Sequence, residues 1–406
     1  MKLNDIAYFV DDKISSDEIS LNEYITTDCL LQNKKGRSIA TNLPPQSCSL
    51  TKFKKGDVLI GNIRPYLKKI WFADIDGGSS LDVLLLRAKD KNESAYLYSV
   101  LMQDSVYDFV MKAPKGSKMP RGDKNHILTF PCSNVNHKIE IGNFIKSLDD
   151  KIALNRRMNA KLKQMAKRLY NHRFVQFDFP NADDKPYKSS GGKMEYNEVL
   201  KREILARWVV KSVNDISTTY RGVGYTADDE KSVSDKDVVL ILRGNNISNN
   251  HIVYDSNTVY LDKSFVSEEQ KINKFDIVMT MSSGSKEHIG KSAMFLFDSP
   301  HSYGAFCNKI TPNKECQFFL ENYLHSKFFK KYLKVTCSGT GINNLTNEHF
   351  NKAFFAFPIE KLLEYFNEKV GPIYEQMGVL EKEIQKLTAL RDRLLPLLMN
   401  GQVEVQ

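Results

Sequence analysis

Apolar residues recur at alternating spacings of three and four from Leu363 to Leu398: Leu363, Phe366, Val370, Ile373, Met377, Leu380, Ile384, Leu387, Leu394 and Leu398. Only Arg391 breaks the series. This is the a/d seam of a coiled coil, and it predicts a long helix over 359–399. Pro372 sits early in the run and is expected to kink the helix or mark a start, since it lacks the N–H for the i−4 bond. A second seam runs through Ile141, Ile145, Leu148, Ile152, Asn155, Asn159, Leu162, Ala166 and Leu169, and predicts a helix over 136–175. Two Asn in such a seam cost stability but fix register and partner. Thirty-odd helical residues span roughly 50 Å at 1.5 Å each. A domain of about 160 residues, 201–358, lies between the helices, so the chain has room to return and pair them antiparallel.

Elsewhere the pattern changes. Short β-branched and aromatic runs bounded by Gly, Asn and Asp, such as 238–242, 257–261 and 277–280, read as strands. Amphipathic helices intervene at 96–101 and 318–324. Features of the first part return in the second. Asn4-Asp5-Ile6 recurs as Asn214-Asp215-Ile216, and Phe53 to Ile60 has an echo in Asn273 to Met279. A Gly/Ser/Thr loop (Gly116-Ser117-Lys118; Gly339-Thr340-Gly341) and a strand ending in Pro (Phe130-Pro131; Phe357-Pro358) then close each half. The offsets are 210, 219, 223 and 227: the order is kept while the spacing drifts. The expected fold is therefore α+β, two tandem α/β domains joined by two long antiparallel coiled-coil helices with a pseudo-twofold repeat. Its parts are a first domain at 1–135, a central helix at 136–175, a linker loop rich in Pro, Asp, Ser and Gly at 176–200, a second domain at 201–358 and the C-terminal helix at 359–399.

With 406 residues, 41% of them hydrophobic, the chain can bury two or three cores, which excludes a disordered or collagen-like protein. No apolar run approaches the ~18 residues that span a bilayer, and the start, Met1 to Asp5, has no signal-peptide character. Six scattered cysteines without a C-x-x-C pair read as reduced structural thiols of a cytoplasmic protein, not zinc ligands. The net charge is +9, and its distribution matters more than its size. Residues 138–173 hold ten Lys/Arg against three Asp/Glu, a net of +7, whereas 360–395 hold six against seven, a net of −1. One helix carries most of the excess and faces a complement in the other.

Motifs for chemistry fail on spacing or context. Gly284 to Ser292 approximates a phosphate-binding loop, but five residues separate its glycines where four are needed, and the next residues, Ala293 to Phe297, read as a strand. Asp262, Glu269 and Lys271 could be taken for a nuclease triplet, but such combinations are common in a chain with 26% charged residues. No G-x-S-x-G, H-E-x-x-H or Asn-Pro-Pro-aromatic run occurs, so no catalytic, cofactor-binding or metal-ligating residue is assigned.

What recurs instead is a set of polar loops. In the first half these are Asn62, Arg64, Tyr66 and Lys68 after a strand, and Lys115, Ser117, Lys118 and Arg121 within Met111–Lys124. In the second half they are Arg221 and Tyr225; Arg243, Asn245 and Asn246; Ser283, Ser285 and Lys286; and Thr340, Asn343 and Asn344. These residue types suit double-stranded DNA. Lys, Ser and backbone N–H groups hold phosphates, while Arg reads guanine and Asn reads adenine.

In this order the parts resemble the specificity subunit of Type I restriction–modification enzymes, along essentially the whole chain. The most specific piece is Phe177-Asp178-Phe179-Pro180-Asn181 followed by Lys185-Pro186-Tyr187-Lys188-Ser189-Ser190-Gly191-Gly192-Lys193-Met194. The endings Leu390 to Leu398 and Asn400-Gly401-Gln402-Val403 are also similar to that family. Its usual Ile-Pro-x-Gly-Trp opening of the second half survives here only as Ile204 and Trp208, with Leu205, Ala206 and Arg207 between them. The resemblance implies that each half is a target recognition domain reading one part of a bipartite, asymmetric DNA site. The helices would act as spacer and as the docking surface for two methyltransferase (modification) subunits, which bind S-adenosylmethionine and methylate adenine. Restriction subunits using ATP and Mg would join the full complex. This chain would hold no cofactor and perform no catalysis. The rival reading is a non-catalytic coiled-coil assembly scaffold without base readout.

Overall fold

The computed structural model describes all residues except 115, 117, 182, 249, 255–257, 286, 337–342, 405 and 406. It divides into two compact units, Met1–Arg157 with Leu380–Gln406, and Met158–Val379. Both divisions fall inside a long helix, Lys138–Tyr170 or Glu360–Met399. Each unit thus owns one α/β half and a stretch of each helix.

In the first unit an antiparallel sheet runs in the order Ala7–Phe9, Val83–Ala88, Val58–Gly61, Ile70–Phe72. Its inner strands are almost wholly apolar because both faces are covered. Successive side chains point to opposite faces. Val58, Ile60, Leu84 and Leu86 meet the helix Ser94–Met102, while Leu59, Val83, Leu85 and Trp71 pack with Ile25 and Phe53 of a second sheet.

The second unit repeats this sheet as Ser217–Arg221, Cys307–Pro312, Ile277–Thr280, Ser292–Met294. Even the register is kept. Val58 lies opposite Leu86 and Phe72; Ile277 lies opposite Ile310 and Met294. Ahead of each central strand the chain turns through a left-handed residue, Gly56 (φ 95°) or Phe275 (φ 70°). A buried Asp follows, and Asp57 and Asp276 each accept from the backbone N–H three residues earlier at 2.7 Å. The counter-group differs. Arg87 lies 2.7 Å from Asp57, while Asp276 is held by the Thr311 hydroxyl at 2.6 Å and the Lys309 ammonium at 3.5 Å. The tandem repeat expected from drifting offsets is therefore a repeat of hydrogen-bond pattern. The second sheets have diverged further. A parallel pair recurs (Tyr24–Ile25 with Gly77–Ser79; Val238–Leu242 with Ser302–Tyr303), but its antiparallel neighbour joins a different member of the pair in each half.

The long helices pair antiparallel within each unit. In the first, Asp149 meets Arg391 and Asn155 meets Glu383; in the second, Tyr170 meets Phe366 and Arg173 lies over Tyr365. Every seam position named above is buried or half-buried, Asn155 and Asn159 included. The helix starts at Glu360 and runs unbroken through Pro372, so the proline does not mark its start. Asn155 donates to Glu383 at 2.8 Å, but its own side-chain oxygen and that of Asn159 are both buried without a partner. Burying an unsatisfied amide oxygen costs on the order of 1–3 kcal/mol. Asn159→Leu is therefore expected to raise stability by about 1–2 kcal/mol, read as a later denaturant midpoint.

Each half is fastened to the helices by a buried polar cluster. In the first unit the Tyr98 hydroxyl donates to Asp149 at 2.8 Å, and Arg391 reaches the other oxygen of the same carboxylate at 2.6 Å. In the second, Glu321 is buried with His325 at 3.1 Å and Lys163 at 3.7 Å. Burial pushes the Glu321 carboxyl up, but His325 and Lys163 outweigh it and hold the group below the usual carboxylate range.

Segment 176–200, read from its composition as a loop, contains the strand Met194–Asn197, paired antiparallel with Arg202–Leu205. Phe179 stacks on Tyr187 at 5.2 Å, and Phe177 is buried edge-on to Trp208 at 5.3 Å. Arg207 has φ 74° and stands where the family's opening run has glycine. A Cβ in the left-handed region costs about 1 kcal/mol. Arg207→Gly is expected to recover that amount, seen as a rise in melting temperature.

Candidate nucleic-acid interface

In the first unit the two sequence-predicted loops come together at one edge of the sheet. The Asn62 side-chain oxygen accepts from the Gly122 N–H at 2.9 Å, Ile63 bridges Arg121, and the Arg64 N–H donates to the Pro120 carbonyl at 2.9 Å. Between them lies the turn Ser80–Val83, closed by Val83 N–H to Ser80 O at 3.0 Å, whose Asp82 carbonyl accepts from the Asn62 N–H at 2.9 Å. Arg64 and Lys68, both left-handed, bracket the short 3₁₀ turn Pro65–Leu67. Asn33 and Lys34 are left-handed as well, and their N–H groups donate to Leu67 and Lys68. Four strained non-glycine residues in one loop pair mark a surface whose conformation is imposed by its surroundings.

Arg64, Tyr66 and Lys118 are exposed there. Lys68 is not a free cation: with Lys34 it flanks Asp104, at 3.0 and 2.7 Å. Burial pushes the Asp104 carboxyl up, but the two lysines more than reverse this and hold it low. Arg121 is paired with Asp82 at 3.1 Å. Asn62, Lys68 and Arg121 thus have partners within the fold and help to shape these loops. Lys34, Asp82 and Asp104 carried no sequence signal, because only the fold brings them to this edge.

The second unit builds the same arrangement. Leu345 N–H donates to Met281 O at 2.7 Å, and Ser282–Ser283 pairs antiparallel with Asn343–Asn344. The turn Gly304–Cys307, closed at 2.8 Å, receives the Met281 N–H on its Phe306 carbonyl at 2.8 Å, as Asp82 receives Asn62. Beside it run Arg221–Tyr225 and Arg243–Asn246. The Val223 N–H donates to Tyr303 O, and a Cβ on Gly222 would lie 2.2 Å from the Gly304 carbonyl, so only glycine fits that close approach.

Asn246 is a correction to its reading as a contact: it is fully buried, its oxygen accepts from the Arg243 N–H and its amide donates to Val253 O, both at 2.9 Å, so it builds the turn and presents no surface to a base. Arg243 is half-buried and shares a hydrogen bond with the Tyr225 hydroxyl. Arg221, Asn245, Ser285 and Asn344 are exposed, and the half-buried Ser283 hydroxyl accepts from the Ser285 N–H at 3.2 Å. Lys115, Ser117, Lys286 and Thr340 lie outside the described residues, and Asn343 is described only in its backbone.

The loop resembling a phosphate-binding motif leads into the strand Ser292–Met294, with no helix behind it to face a phosphate. Asp262 caps Ser264, and Lys271 is paired with Glu268. Among the described residues no group of three His, Cys, Asp or Glu is placed to hold a metal, and no helix is long and apolar enough to cross a membrane.

The duplicated α/β half carrying a loop surface, with paired long helices, is the fold of a Type I restriction–modification S subunit. The solved S subunit from M. genitalium superposes with a TM-score of 0.56 over 100% of this chain and 96% of its own, at 14% identity. Curated proteins agree. The Type I restriction enzyme EcoKI specificity subunit of Escherichia coli K12 is 30% identical over 200 residues, 48% of this chain and 42% of its own length. The HindI specificity subunit of Haemophilus influenzae is 24% identical over 94% of both chains. The match spans less than half the length of the EcoKI and StySPI relatives. No family model matches the chain. By sequence and by fold it is similar to Type I specificity subunits, so the resemblance drawn from its own motifs holds.

Proposed function

We propose that this chain is the non-catalytic, sequence-specific DNA-recognition subunit of a Type I restriction–modification complex. Each half reads one part of a bipartite site. One observation carries this reading: two halves with the same sheet register bring equivalent loops to the same sheet edge, and those loops display exposed Arg, Lys and Asn beside no candidate catalytic cluster among the described residues. Guanidinium and amide groups on such loops suit base edges, and lysines suit phosphates. The chemistry then belongs to partners: two methyltransferase subunits holding S-adenosylmethionine, and restriction subunits using ATP and Mg. Exposed apolar residues on the long helices, Leu154 and Leu390 in the first unit and Met158, Met165 and Val379 in the second, suit docking of those partners.

The test is adenine-methylation mapping in a host expressing this chain with its cognate methyltransferase, beside a host lacking the chain. A single split motif that vanishes without the chain is the expected result. Unchanged methylation, with the complex assembled, moves the reading to a scaffold without base readout.

A further inference from the structure

The turn at the centre of each loop surface exposes a large apolar side chain. In Ser80–Val83 it is Leu81, 75% exposed; in Gly304–Cys307 it is Phe306, 69% exposed. Among the described residues no large hydrophobic is more exposed than Leu81, and Phe306 shares second place with Val335. Their neighbours within the turns are small or charged: Ser80 and Asp82 beside one, Gly304 and Ala305 beside the other.

Both turns are rigid. Each is closed by its own i to i+3 hydrogen bond, and each is tied to the end of the central strand, Asp82 O to Asn62 N–H and Phe306 O to Met281 N–H. The turns are equivalent in the repeat, yet the apolar residue occupies different corners: the second residue in the first half and the third in the second. Both halves thus place an unburied apolar group on the equivalent turn. Burial in the core explains neither, since a polar residue would fit these corners without loss.

We infer that Leu81 and Phe306 are specificity-determining contacts, each laying an apolar surface against base edges in its half-site and reading the C5-methyl group of a thymine. This rests on the DNA-recognition reading above and deepens it. The thymine methyl is the one apolar group that base edges present in the major groove, and an apolar side chain is what discriminates it. The polar companions on the same edge, Arg64 and Tyr66 in one unit and Arg221 and Asn245 in the other, supply hydrogen bonds but no such contact. Because adenine would be the methylated base, each half-site contains at least one thymine, opposite it.

The experiment uses the chain assembled with its methyltransferase and a duplex carrying the mapped motif, with each thymine replaced in turn by uracil, which removes only the methyl. Wild type is expected to lose roughly 3- to 10-fold in affinity for one uracil position in each half-site. Leu81→Ser is expected to abolish that sensitivity in one half-site and Phe306→Ser in the other. Both are surface changes that leave folding intact, checked by an unchanged melting temperature. The inference is overturned, with the function itself untouched, if no uracil position weakens binding or if the sensitivity persists in both variants. Absence of any split motif in the wild-type complex instead overturns the reading beneath it.

Discussion

Arg391→Ala is expected to destabilise the protein by about 3 kcal/mol and to lower its melting temperature by roughly 5–10 °C. Arg391 is buried at the one polar break in the seam from Leu363 to Leu398. It spans Asp149 at 2.6 Å and Asp392 at 2.8 Å, and Asp149 also receives the Tyr98 hydroxyl. Burial pulls its guanidinium pKa down, but the two carboxylates raise it above its ordinary value. Removing the cation takes from the largely buried Asp149 its direct ion pair, leaving the Tyr98 hydroxyl and the more distant charge of Arg156, and a poorly compensated buried charge costs more than the pair contributes. The double variant Arg391→Met with Asp149→Asn is expected to recover most of the loss, because neither group then needs neutralising. Equal stability of Arg391→Ala and wild type in denaturant unfolding would show that water already screens this pair.

The second large effect falls on recognition. Replacing Arg64 is expected to relax one position in one half of the methylation motif, and replacing Arg221 one position in the other half. Each would weaken binding of its own half-site by roughly 5- to 150-fold, the worth of a bidentate guanidinium–base contact. At Arg64 the substitution of choice is alanine, since it keeps the Cβ that the arginine already holds at φ 54° and leaves the backbone strain unchanged. Lys118→Ala is expected to act differently, weakening all sequences alike and lowering the salt dependence by about one counterion. Genome-wide methylation mapping and salt titration read the two effects separately. A uniform loss for Arg64→Ala would make that arginine a phosphate contact.

Both sets of residues show how far the sequence reached. The coiled-coil seams were legible because no strand or loop sustains a 3.5-residue period over about thirty residues, and the helices form where the period lies. The duplication was legible because it left short identical marks, such as Asn4-Asp5-Ile6 and Asn214-Asp215-Ile216. The recognition edge was legible as loops but not as side chains. Asn246 and Lys68 have the composition of DNA contacts, yet one closes a turn and the other neutralises Asp104. Leu81 and Phe306 were missed because an apolar residue near a strand reads as core, and only the turn pushes it out.

The sequence by itself determined the periodic part of this protein: two long helices, their antiparallel return, and two related halves between and before them. Those properties follow from residue order along one chain, where hydrophobic spacing acts locally and burial is its direct consequence. Tertiary structure decided what the polar residues do. How far an arginine, lysine or asparagine is free to meet a partner depends on its burial and on which carboxylates, carbonyls and amides of its own fold lie within about 3 Å. That distance is set by segments such as Asp104 with Lys68 or Val253 with Asn246, which no local pattern connects.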